Sequence, residues 1–153
     1  MSTALHIELT GMAALDRFID RLAHLDTRSL LEGVAGLIED QTVERIAETK
    51  RAPDGTAWEP LSDKYDAWKG RRFPGIGMME LHGNLRDSIE TYITSATEAE
   101  VGVGSNVKYA AAQQFGYSPR NLPARPYMGL SADNEREIDQ RVNDWIRGVL
   151  DGG

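Results

Sequence analysis

The chain has 153 residues, of which 41% are hydrophobic and 27% charged, with a net charge of -7 and no cysteine. That length predicts one domain with its own core, and the apolar-to-charged balance is that of a globular rather than a disordered protein. The acidic total argues against a protein that coats DNA over its whole surface but permits a local basic patch, and the lack of cysteine removes disulfides, thiol catalysis and cysteine-ligated zinc.

The opening stretch "MSTALHIELTG" has neither the basic start nor the apolar core of a signal peptide. No apolar run approaches the roughly 18 to 20 residues that span a bilayer, so a soluble protein is expected, and the cysteine usage fits a reducing cytosol. Leu5, Ile7 and Leu9 alternate with His6 and Glu8, the period of a half-buried strand over residues 4 to 9. From Ala13 the period becomes helical, with Leu15, Phe18, Ile19, Leu22 and Leu25 on one face. Thr27 offers an N-cap for a longer second helix carrying Leu30, Val34, Leu37, Ile38 and Ile46, which should end near Lys50 because "APDG" follows.

Residues 51 to 77 differ in kind. They contain three prolines and four glycines, and only a short helix, capped by Ser62 and running through Trp68, is expected within them. A connection this long in a compact domain points to an extended arm or flap with a function of its own. In "MELHGNLRDSIETYI" a helical turn is expected, interrupted at Gly83, and then a strand through Ile89, Thr91 and Ile93. "EAEVGVG" supplies its partner, making a hairpin that turns around Ala96 to Glu98. Asn106 or Ser105 then caps a short helix with Val107, Ala110, Ala111 and Phe115 inward, and Gly116 stands where a left-handed C-terminal residue belongs. The last helix is the plainest: Ile138, Val142, Trp145, Ile146 and Val149 form one stripe behind the cap candidates Ser131 and Asp133. These elements add up to an α+β fold, a small antiparallel β-sheet packed against three to four α-helices with a long extended arm.

Catalytic constellations are weak. His6, His24 and His82 lie far apart, and none has a second ligand three or four residues further on. Asp63 and Asp66, like the acids from Asp133 to Asp139, fall on first helical turns or exposed faces, where carboxylates favour the helix dipole. "VGVGSN" lacks the third glycine of a dinucleotide loop, since position 107 is valine. No catalytic residue, metal site or cofactor is therefore expected. "WKGRRF" interleaves aromatics with Lys69, Arg71 and Arg72 and can either track a nucleic-acid backbone or meet the acids of a protein partner. In "YSPRNLPARPYMGLS" the prolines pre-set the backbone, so an arginine there loses little entropy on docking. The expected division puts Trp58, Trp68, Lys69, Arg71, Arg72, Arg120 and Arg125 at a protein interface. Tyr109, Phe115, Gly116, Pro123, Pro126 and Tyr127 are expected to support the fold.

The ordered segments "DGTAWEPLSDKY", "MELHGNLRDSI", "VGVGSNVKYAAAQQFG" and "LPARPYMGLS" resemble the virion morphogenesis, or tail completion, family of Mu-like contractile-tailed phages. The likeness runs collinearly over about residues 30 to 148. It is most specific in the Y-A-x-x-x-Q-F-G helix followed by P-A-R-P-Y. The matched positions are Trp58, Pro60, Leu61, Leu81, Leu85, Ser88, Tyr109, Ala110, Gln114, Phe115, Gly116, Pro123, Ala124, Arg125, Pro126 and Gly129. "KGRRFPGIGMME" is shorter and more glycine-rich than the basic stretch of that family. The resemblance implies a structural virion protein acting in tail completion and head–tail joining, located in the tail or neck and assembled in the host cytoplasm. It also implies a homo-oligomeric ring, with a hexamer as one candidate order. Its partners would be tail-tube, terminator, neck or connector proteins, with DNA passing through the ring and no membrane involved. A cytosolic protein-binding module and a small hydrolase or nuclease stand as the alternatives.

Overall fold

A computed structural model of the chain describes residues 4 to 8 and 27 to 151, with the backbone alone at 4 to 8, 82 and 150. The helix expected from Ala13 to Leu25 lies outside the described residues. The elements are β1 (Ala4–Glu8), α1 (Arg28–Glu44), α2 (Asp63–Arg72), α3 (Asn84–Asp87), β2 (Ile89–Ile93), β3 (Glu98–Val103), α4 (Ala110–Phe115) and α5 (Ala132–Asp151). The α+β reading is correct: the three strands form one antiparallel sheet in the order β1-β3-β2. Leu5 pairs with Val101 and Ile7 with Ala99 on one edge, and Ile89 pairs with Val103 and Ile93 with Ala99 on the other.

Alternation places Ala99, Val101 and Val103 on one face of the central strand, and all three are buried together with Ile89. α1 packs on β2, β3 and α5. Leu31, Val34, Ala35 and Ile38 recur at helical spacing and bury against the sheet and against Ile138 and Val142 of α5. Leu37 is only half-buried. Thr27 does not cap α1 with its side chain, because its own backbone is already helical (φ -81°, ψ -5°). Its hydroxyl instead donates to the Ala96 carbonyl at 3.4 Å, tying the helix start to the β2–β3 turn.

α1 continues into a π-helical turn, Arg45–Thr49, and ends where the sequence implied, at Lys50 in the left-handed region (φ 54°). α5 starts on a reciprocal cap: the Asn134 amide donates to Ser131 Oγ and the Ser131 amide to Asn134 Oδ1, both at 3.1 Å. Gly83 takes φ 69° between the single turn Leu81–Gly83 and α3, so the interruption read there is real.

Residues 51 to 77 are more regular than their proline and glycine content implied. Arg51 bridges Ala57, the Trp58 amide returns to the Lys50 carbonyl at 3.2 Å, and α2 runs four residues past Trp68 to Arg72. Ser62 caps α2 as expected, accepting from the Tyr65 amide at 3.4 Å. Asp63 and Asp66 sit in its first turn and Lys69, Arg71 and Arg72 in its last, the arrangement that its dipole favours at both ends. No helix among the described residues is long and apolar enough to cross a membrane.

Candidate functional site

The proline-arginine segment is a junction inside the protein. Pro123 and Pro126 have no N–H to satisfy, so Arg125 and Tyr127 carry the donors nearest them. The Arg125 amide donates to the Gln113 carbonyl at 2.7 Å, and the Tyr127 and Met128 amides both donate to Gln114 Oε1 at 3.0 Å. The Tyr127 hydroxyl reaches the Ala110 carbonyl at 2.9 Å, so α4 and the segment are joined along their shared length. Tyr127 is wholly buried.

From the other side the arm closes on the same segment. Trp58 Nε1 donates to the Pro126 carbonyl at 2.8 Å. Arg125 Nε donates to the Glu59 carbonyl at 2.8 Å and Nη2 to the Pro60 carbonyl at 3.0 Å. A third anchor comes from the π-turn, where Arg45 Nη1 donates to the carbonyls of Tyr127 at 2.8 Å and Gly129 at 2.9 Å, while Nη2 bonds Asn134 Oδ1. Burial lowers the pKa of both guanidinium groups from the usual arginine value. Each nonetheless stays charged and directs its donors at carbonyls.

Three interface assignments are corrected here. Arg125 is 3% exposed, Trp58 is buried, and Lys69 is the buried residue of α2, with Nζ bonded to the carbonyls of Ile76 and Gly77. Each holds backbone carbonyls of an irregular segment that water would otherwise have to satisfy. Two fold-supporting assignments also move outward: Phe115 is 72% exposed and Tyr109 is exposed. The inner face of α4 is taken by Ala110 and by the glutamines that hold the junction, which leaves Phe115 pointing away. Arg45 and Gln41 went unread, although a lone arginine beside a helix's apolar stripe signals a group buried to bind backbone.

Gly116 differs from the expected left-handed cap. Its φ is 79° but its ψ is 169°, and it turns the chain so that Tyr117 can bridge Leu122. A Cβ there would lie 3.0 Å from both the Ala124 nitrogen and the Leu122 oxygen. Gly129, at φ 130°, leaves just enough room for Pro53, whose Cγ would stand 2.8 Å from an added Cβ. Gly129→Ala should therefore destabilise the chain by more than about 1 kcal/mol, measured by denaturant unfolding. Pro53→Ala in the same background should recover only the steric part.

Outside the junction, α2 is inverted. It buries a lysine and exposes Tyr65 and Trp68, with Ile76 exposed just beyond. The Tyr65 and Trp68 rings lie 5.6 Å apart, and Phe73 meets Trp68 edge-on at 5.8 Å, giving a continuous aromatic strip. Arg71, Arg72 and Lys64 are exposed beside it. Arg120 is also exposed and stands at a cleft of about 710 Å³ between the arm and the junction, with Leu61, Met79, Tyr109 and Leu122 among its walls. Gln113 lines this cleft with a buried Oε1 that has no hydrogen-bond partner. These features suit binding, since apolar area, planar cations and an open acceptor all gain from a partner. The Asp63 and Asp66 carboxylates face solvent, and no group of His, Asp and Glu suited to a metal occurs among the described residues.

A model of the phage virion morphogenesis family matches residues 11–147. The chain is 34% identical to the putative capsid assembly protein G of Escherichia phage Mu over 71% of its own length and 73% of that protein's. It is 27% identical to the Mu-like prophage FluMu G protein 1 of Haemophilus influenzae, over 91% and 94% of the two chains. An uncharacterized protein of Methanocaldococcus jannaschii is 27% identical over 72% and 76%. No solved structure matches. The chain belongs to the phage virion morphogenesis family, of the Mu-like kind that the resemblance indicated, and its role is a structural or assembly role in the phage virion.

Proposed function

We propose that this chain completes the head-proximal end of a phage tail and joins it to the head, working as a homo-oligomeric ring without catalysing a reaction. The observation that carries the reading is the inverted arm helix. A helix that buries Lys69 and turns Tyr65 and Trp68 to solvent is shaped to dock on another protein. The junction behind it gives that helix a rigid base, which lowers the ordering cost of docking. The natural partners are virion proteins of the tail tube, terminator, neck or connector, with the exposed Arg120 at the cleft meeting their acids or passing DNA.

A head-assembly role is the second reading, favoured by the word capsid in the name of the phage Mu relative. Removing the gene from a producing phage and imaging the lysate separates the two. Filled heads beside unjoined or irregularly ended tails support tail completion. Malformed or absent heads beside normal tails support the capsid role. A normal yield of joined particles excludes both.

A further inference from the structure

A second surface complements the arm. α1 and α5 border an open groove of about 400 Å³ lined by Asp40, Glu44, Glu137 and Asp144, with Arg141 its one cation among the described residues. Acids alone would only be a solvated face, but Gln41 also lines this groove, is 5% exposed, and has a buried Oε1 without a partner. Its Nε2 already donates to Glu137 Oε2 at 2.6 Å and to the Asn134 carbonyl at 3.4 Å, which fixes the amide with its oxygen unused. Buried acceptors are normally satisfied, so an unused one among four carboxylates marks a place for a cationic N–H donor.

The same chain displays such donors. Arg71 and Arg72 are exposed at the C-terminal end of α2 and make no ion pair among the described residues. They follow Trp68 by one helical turn, and Trp68 is an apolar anchor of the kind found at interface hot spots. The groove and the arm helix share no residue, so a contact between them leaves a free groove on one copy and a free arm on the other. Such a head-to-tail contact propagates and can close into a ring.

We infer that the acidic groove between α1 and α5 receives Arg71 and Arg72 from the arm helix of a second copy of this chain. The inference deepens the ring reading above and rests on the self-association that it requires. The test is sedimentation velocity on the purified full chain over a concentration series, for wild type, Arg71→Glu/Arg72→Glu and Glu44→Arg/Asp144→Arg. All four positions are exposed, and circular dichroism confirms that the variants stay folded. Each double variant alone should self-associate more than about tenfold more weakly than wild type, because like charges would then face each other. An equimolar mixture of the two should recover association. Wild-type association that neither variant weakens, or a mixture that fails to recover, overturns the contact and leaves the ring reading standing. A wild type that remains monomeric throughout overturns both.

Discussion

Tyr127→Ala should unfold the protein or bring it close to unfolding, with a loss of about 3 to 5 kcal/mol, the usual cost of truncating a buried aromatic. Tyr127 is wholly buried. Its ring fills space beside the buried start of α4, its hydroxyl bonds the Ala110 carbonyl, its amide bonds Gln114, and its own carbonyl accepts from Arg45. Removing the side chain thus opens a cavity where α1, α4 and the proline-arginine segment meet. Tyr127→Phe keeps the ring and loses one hydrogen bond, so it should cost only about 1 kcal/mol. Equilibrium urea unfolding of both variants gives the comparison. A Tyr127→Ala chain within about 1 kcal/mol of wild type would mean that the junction is not a centre of stability.

Arg125→Ala should destabilise by about 1.5 to 3 kcal/mol, the range for hydrogen bonds to a charged group, while Phe115→Ala should stay within about 0.5 kcal/mol of wild type as a surface change. The guanidinium stands between the Glu59 and Pro60 carbonyls and the segment that carries it. Without it, two carbonyls lose their donor and the arm loses one of its hydrogen-bonded links to the junction. The Trp58 link remains. Phe115 is 72% exposed and leaves little behind when shortened. Thermal unfolding of the two variants decides the matter. A larger loss for Phe115→Ala than for Arg125→Ala would reverse the roles drawn for these residues. Phe115→Ala is also the variant to examine for a defect in assembly rather than in stability.

Periodicity was a reliable guide wherever an element buries one face on its own. The β2–β3 hairpin, α1 to Lys50, the Ser62 cap and the stripe of α5 are all local patterns, and they appear where the residues indicated. Two of the errors share one cause, which is contact between segments distant in sequence. Arg125 is bonded to carbonyls 65 and 66 positions away, and Trp58 to one 68 positions away. Nothing near Arg125 says that an arm will fold back over it, so a pre-set arginine between prolines looked like a docking group. Lys69 was misplaced for a local reason: the carbonyls of Ile76 and Gly77, seven and eight residues on, return to it through a turn that the glycines hid. Phe115 failed for the opposite reason: a helix of six residues is too short for its stripe to decide which face is inward. Trp68, Arg71, Arg72 and Arg120 are accessible, as a partner-facing role requires.

An exposed tryptophan on a rigid arm has a direct test in the particle itself. Hydroxyl-radical footprinting of the isolated chain should label Trp68 and Tyr65 readily and the buried Trp58 slowly, which supplies an internal control. In purified virions or tails, Trp68 and Tyr65 should become protected while Trp58 stays as slow as before. Equal labelling of Trp68 in the free chain and in the particle would contradict the assignment of the arm helix as the surface through which this protein assembles.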